Sequence, residues 1–180
     1  MSEKKKISKG SVIIIAVIAV LLPIVVVLGV LHFRDMQERL TYHIEGSFRV
    51  VSGDEYRHIS LDDMVNLSPV TFESTHRRAE GMLTGVPLAT ILDFSGIDYS
   101  QASSLAFVSY DGFLTAITMT EALDLEHTFI VFELDGLSLA ENPGPEGNPA
   151  LWAEAPFRLV LLNDMFPQRW ARYVIEVVIQ

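Results

Sequence analysis

His76-Arg77-Arg78 places an imidazole and two guanidinium groups on consecutive positions, with Glu80-Gly81 close behind. Three cationic or partly cationic groups there can bind an anion, because arginine offers fixed N–H donors and a permanent charge. Such a run equally suits a solvated loop ahead of the next element, so the two readings stand side by side. The other histidines, His32, His43, His58 and His127, show no paired i, i+4 ligand spacing, which gives a metal site little support. The chain has no cysteine. That excludes disulfides, thiolate metal sites, cysteine nucleophiles and anchoring through a lipidated N-terminal cysteine. The sequence also lacks a phosphate loop, a Gly-x-Ser-x-Gly elbow and a convincing catalytic triad. Asn66-Leu-Ser68 fits a glycosylation sequon.

These groups need a scaffold and an address, and the N-terminus supplies the address. Val12 to Leu31 is twenty residues without a charge, nearly all Val, Ile, Leu and Ala. At about 1.5 Å per residue, a helix of that length spans roughly 30 Å, the hydrocarbon thickness of a bilayer. Pro23 is tolerated in such a helix. Lys4, Lys5, Lys6 and Lys9 precede the run, whereas His32, Arg34 and Asp35 follow it. The positive-inside tendency then predicts a cytoplasmic tail (1–11), a transmembrane anchor (12–31), a stalk (32–40) and an extracytoplasmic domain (41–180). A cleaved signal peptide, with Val27 and Gly29 as a poor cleavage site, is the competing reading, but the apolar stretch exceeds a usual signal core. Beyond residue 33, nine basic residues, all arginine, face twenty-two acidic ones, a net charge of −13. Such a surface serves solubility and disfavours nucleic acid and anionic lipid as partners.

The domain reads as α+β, a mixed β-rich fold with short helices and no internal repeat. From Thr41 onward Tyr42, Ile44, Phe48 and Val50 alternate with polar residues, predicting a strand or hairpin. Ser60 caps a helical turn through Val65, and Pro69 to Ser74 is the next strand. Gly85-Val-Pro-Leu88 reads as a turn into a helix ending at Phe94, before Ser95-Gly96. Leu105 to Ser109 and Phe113 to Met119 form a hairpin around Tyr110-Asp-Gly112. A short helix at Thr120 to Leu123, a buried strand at Thr128 to Leu134 and a loop at Asn142 to Asn148 follow. Phe157 to Leu162 and Tyr173 to Ile179 complete the strands.

Several of these segments fall in a recognisable order: Tyr42-His-Ile-Glu-Gly46, Thr84-Gly-Val-Pro-Leu88 with Ile91-Leu92, Ser109-Tyr-Asp-Gly-Phe113, Asp135-Gly-Leu-Ser-Leu139, Ala155-Pro-Phe-Arg-Leu-Val160, and Arg169-Trp-Ala-Arg-Tyr173 running to Val178. In order and spacing they resemble the oxidoreductase molybdopterin-binding domain, the fold of the sulfite oxidase family. The resemblance covers residues 41–180 and implies that fold, with molybdopterin as a possible cofactor. It also implies roles near the pterin and its phosphate for Arg158, Arg169 and Arg172, with His76, Arg77 and Arg78 at the mouth of the pocket. The competing reading pairs these arginines with surface carboxylates.

The chain departs from the family at three places. No sulfur follows the strand ending Phe72-Glu-Ser-Thr-His76, where the family's enzymes carry the molybdenum-ligating cysteine; serine or threonine oxygen replaces a soft thiolate poorly. Trp152-Ala-Glu-Ala155 stands where those enzymes carry histidine and glycine. The segments that wrap the cofactor in the full-length enzymes are missing. The leading expectation is a membrane-anchored, extracytoplasmic, degenerate or non-catalytic domain that holds an anionic ligand or an envelope partner. The alternatives are a pterin-dependent oxidoreductase with a non-cysteine metal ligand, and a structural subunit tethering an envelope or redox partner.

Overall fold

A computed structural model describes residues 9–76, 79–142, 147–164 and 167–180, with side chains from residue 17 onward. The chain divides into two units, Met1–Tyr42 and His43–Gln180. The first is built on helix α1 (Lys9–Thr41), which runs through Pro23 and takes in the stretch read as a stalk. Its Val, Ile and Leu side chains from Val17 to Leu31 are exposed. Among the described residues, Val17–Thr41 is the helix long and apolar enough to cross a membrane.

The second unit is α+β. One five-stranded sheet has the order β2-β1-β10-β5-β6, built from β1 (Ser47–Ser52), β2 (Glu55–Ser60), β5 (Ser104–Ser109), β6 (Leu114–Thr118) and β10 (Val174–Ile179). Its strands pair antiparallel except β1 with β10. The other sheet runs β3 (Val70–Ser74), β4 (Gly81–Pro87), β7 (Thr128–Leu134) and β8 (Leu137–Ser138), with β9 (Arg158–Leu161) also on β7. Phe48, Val50, Ile59, Leu83, Phe107, Ile130, Leu159 and Val177 are fully buried. The Phe48 and Phe157 rings meet at 4.9 Å and join β1 to the residue before β9. Burying side chains of this size contributes about 1.5–3 kcal/mol each.

Short helices sit where the sequence carries caps. Helix α2 (Leu61–Asn66) starts with a reciprocal Ser60–Asp63 capping box. Helix α3 (Leu88–Ser95) ends on Gly96 in the left-handed conformation. Helix α4 (Met119–Ala122) is capped by Thr118, and α5 (Pro149–Glu154) by Asn148.

Two expectations need correction. Tyr42 and Ile44 are exposed and the strand begins only at Ser47, because Gly46 turns the chain at φ 68° and donates its N–H to the Glu154 carbonyl. Gly85 is a strand residue rather than a turn: a Cβ there would lie 2.6 Å from the Ile130 carbonyl oxygen. Its role is to let β4 approach β7 closely, beside a register shift between Thr84 and Gly85.

Candidate functional site

The turn between β5 and β6 is fixed locally. Asp111 Oδ1 accepts the Phe113 N–H at 3.1 Å, and Gly112 takes φ 85°. The segment leading into β10 is held from the other side: Leu159 N–H donates to the Ala171 carbonyl, and Arg158 bridges Arg172 through the backbone. Tyr110 N–H then bonds the Tyr173 carbonyl at 2.8 Å. These bonds bring the hairpin tip and the 168–172 segment together around a cavity of about 90 Å³. Asp111, Phe113, Gln168, Trp170 and Arg172 line it.

Trp170 forms the cavity's apolar wall and connects it to the end of β3. Its Nε1 donates to the Leu161 carbonyl at 3.2 Å, and the His76 ring lies against the indole with centroids 4.8 Å apart. Arg172 is half-buried, its guanidinium 5.7 Å from the centre of the Tyr173 ring. The cavity thus combines one permanent cation, one carboxylate, one amide and two aromatic side chains, and the His76 imidazole contacts one of them. Chemically that suits a small, flat or compact anion better than a bare metal ion.

Arg158 lies elsewhere. It is buried in β9, with its guanidinium 5.7 Å from the centre of the Trp152 ring. Trp152 in turn meets Tyr173 edge-on at 4.5 Å, and the Tyr173 hydroxyl accepts the Asn148 N–H at 2.7 Å. Two adjoining rings, Trp152 and Tyr173, are therefore flanked by two cations, Arg158 and Arg172, an arrangement favourable through cation–π attraction. The departure from the family pattern at residue 152 thus has a structural content. A fully buried indole covers Arg158.

Arg169 is engaged with carboxylates. Its Nε lies 2.8 Å from Asp164 and its NH2 nitrogen 2.9 Å from Glu121. Glu121 and Asp164 together raise its pKa, while the Arg169 hydrogen bond holds the Glu121 carboxyl below its usual range. Of the six cationic positions, then, the structure gathers His76 and Arg172 around Trp170, buries Arg158 behind Trp152 and places Arg169 in an ion-pair cluster. Arg77 and Arg78 lie outside the described residues. Sequence reasoning missed Trp170, Trp152 and Gln168; the signal available for the first was its position inside the Arg169-Trp-Ala-Arg172 segment.

It also missed a buried ion pair. Arg49 and Glu176 face each other in the β1–β10 register with N···O 2.6 Å, their side chains 11% and 4% exposed. His58, across from Arg49 on β2, and His43 both have pKa values lowered chiefly by burial. Arg49 lowers both further.

The described residues offer molybdenum no thiolate, the chain having no cysteine. Ser74, at the end of β3 just before the expected ligand position, is buried, and its Oγ accepts the His76 N–H at 3.3 Å. Among the described residues no three His, Cys, Asp or Glu side chains group as a metal site. A cavity of about 90 Å³ also falls below the several hundred Å³ usual for an organic cofactor.

A scan against protein-family models and a search of curated proteins find no match to the sequence. Among solved structures, the chain is similar to the sulfane dehydrogenase SoxCD from Paracoccus pantotrophus, with a TM-score of 0.52 and 14% identity. The match covers 74% of this chain but 37% of that one, so the chain spans well under half of its length. At that identity the likeness bears on fold: the domain is α+β with a sulfite oxidase-type arrangement, as its motifs imply.

Proposed function

We propose that this protein is a membrane-anchored, extracytoplasmic, non-catalytic domain that holds a small anion, or an anionic group of a partner, at the cavity lined by Gln168, Trp170 and Arg172. One observation supports the reading: the hairpin tip at Asp111 and Phe113 and the segment from Gln168 to Arg172, far apart in sequence, converge on a single concave site with Arg172 in its wall. The anchor supports the location, since α1 is long and apolar enough to span and its lysines lie at the N-terminal side. Asp111 in the cavity wall and the net −13 beyond residue 33 oppose anion entry. The expected affinity is therefore modest and sensitive to salt.

The test is a titration of the full chain in detergent with sulfate and with inorganic phosphate, followed by backbone amide NMR shifts. Saturable shifts at Phe113, Gln168 and Ala171, lost in Arg172→Ala, are expected. Equal binding by Arg172→Ala and wild type would overturn the site. Stoichiometric molybdenum and pterin in protein from its native membrane would overturn the non-catalytic reading.

A further inference from the structure

We propose that β6 is a self-association edge at which two copies of this chain pair their strands antiparallel. The described edges of the two sheets differ in what they present. On β2 stand Glu55 and Arg57, on β3 stands Glu73, β9 is buried, and β8 is an edge of two residues, too short to seat a strand. By contrast β6, Leu-Thr-Ala-Ile-Thr, has neither a charge nor a proline. Edges of that kind are ready templates for another strand, and charges ordinarily guard against it.

The ladder to β5 shows which groups are on offer. Ser109 N–H bonds the Phe113 carbonyl and Met119 N–H bonds the Ser103 carbonyl. By the alternation of antiparallel pairing, Thr115 and Ile117 then bond inward, while Leu114, Ala116 and Thr118 turn their N–H and C=O outward. Thr118 N–H is taken by the Glu121 carboxylate at 2.8 Å. Leu114 and Ala116 remain, with the Leu114 side chain 63% exposed.

The occupant follows from charge and symmetry. A domain this acidic repels a second copy over most of its surface, and β6 is a place where two copies meet without like charges face to face. A two-fold axis at Thr115 sets Leu114 against Ala116 of the second copy twice over, forming about four hydrogen bonds. That register puts Asp111 across from Met119 and Glu121 across from Ser109, so no acid opposes an acid. Thr115 meets its own copy, a favourable cross-strand pair. So small a contact is too weak for a stable soluble dimer. Anchoring in one membrane raises the effective concentration, on the order of millimolar for short tethers. In that respect the proposal rests on the membrane reading above.

The cysteine-free chain makes the test clean. Thr115→Cys in the full-length protein, oxidised in its membrane, is expected to give a disulfide dimer at least fivefold more abundant than Tyr56→Cys on the opposite edge. Adding Ala116→Pro, which removes an outward N–H, is expected to abolish that dimer while leaving sulfate binding unchanged. Equal dimer from both single variants, an undiminished dimer with Ala116→Pro, or a crosslinked product of another mass would each overturn the proposal. Loss of sulfate binding in Arg172→Ala with the dimer intact separates this result from failure of the cavity reading.

Discussion

Arg169 and Arg172 stand three residues apart on one segment, yet their surroundings are opposite. Arg169 has two carboxylates within 3 Å, so its fork is satisfied by the protein itself. Arg172 forms a wall of the cavity, its guanidinium near the Tyr173 ring and its backbone held by Arg158. Residue type alone does not make an anion site. Position decides as well: Arg169 lies against Glu121 and Asp164, whereas Arg172 lines the cavity beside Trp170 and Gln168.

The largest way to break this contrast is to remove what positions Arg172. Trp152→Ala would empty an interior site between Arg158 and Tyr173 and cost about 3–5 kcal/mol, read as a lower urea midpoint. Glu176→Ala removes the carboxylate that faces Arg49 in the β1–β10 register; a loss of about 3–5 kcal/mol is expected there too, and Arg49→Met with Glu176→Leu should recover much of it. Exchanging the two arginines separates binding from stability. Arg172→Ala should weaken sulfate binding about tenfold or more with little change in midpoint. Arg169→Ala should leave binding intact and cost about 1–3 kcal/mol, since Glu121 is partly exposed but the Asp164 side chain is 7% exposed.

The smallest effect is on pH dependence. The folded-state pKa values of His43 and His58 lie below the usual value of about 6.5. Folding therefore disfavours their protonated forms. The stability they contribute is complete above the unfolded value and is lost as pH falls below it toward their lowered values. Glu121, also lowered, loses its contribution at more acid pH, as pH falls through its depressed folded value. Unfolding midpoints measured from pH 7.5 down should fall in two stages, and His43→Gln with His58→Gln should flatten the first. An unchanged upper stage in that double variant would count against the assignment to these histidines.

Much of the scaffold was legible because it rests on local signals. Ser60 capped its helix, Asp111-Gly112 turned its hairpin, and the apolar runs at 105–109, 128–134 and 174–179 became strands. The site was legible only in part. Which arginine meets a carboxylate depends on contacts across more than forty residues of sequence, as for Arg169 with Glu121, and no periodicity carries that. Strand β4 was hidden because Gly85-Val-Pro-Leu88 imitates a turn, whereas its glycine answers to the Ile130 carbonyl on a neighbouring strand. The roles of Trp152 and Trp170 needed the tertiary stack to become visible.

One carbonyl has a mechanical meaning. The Glu154 oxygen accepts both the His43 Nε2–H at 3.1 Å and the Gly46 N–H at 3.0 Å, at the point where the domain begins. Those two bonds tie the entry of the domain to the last residue of α5. The other end of α5 is moored through Asn148 to the Tyr173 hydroxyl. A pull at His43 is thus shared between β1, which follows Gly46 directly, and α5, whose far end is moored to the residue next to Arg172.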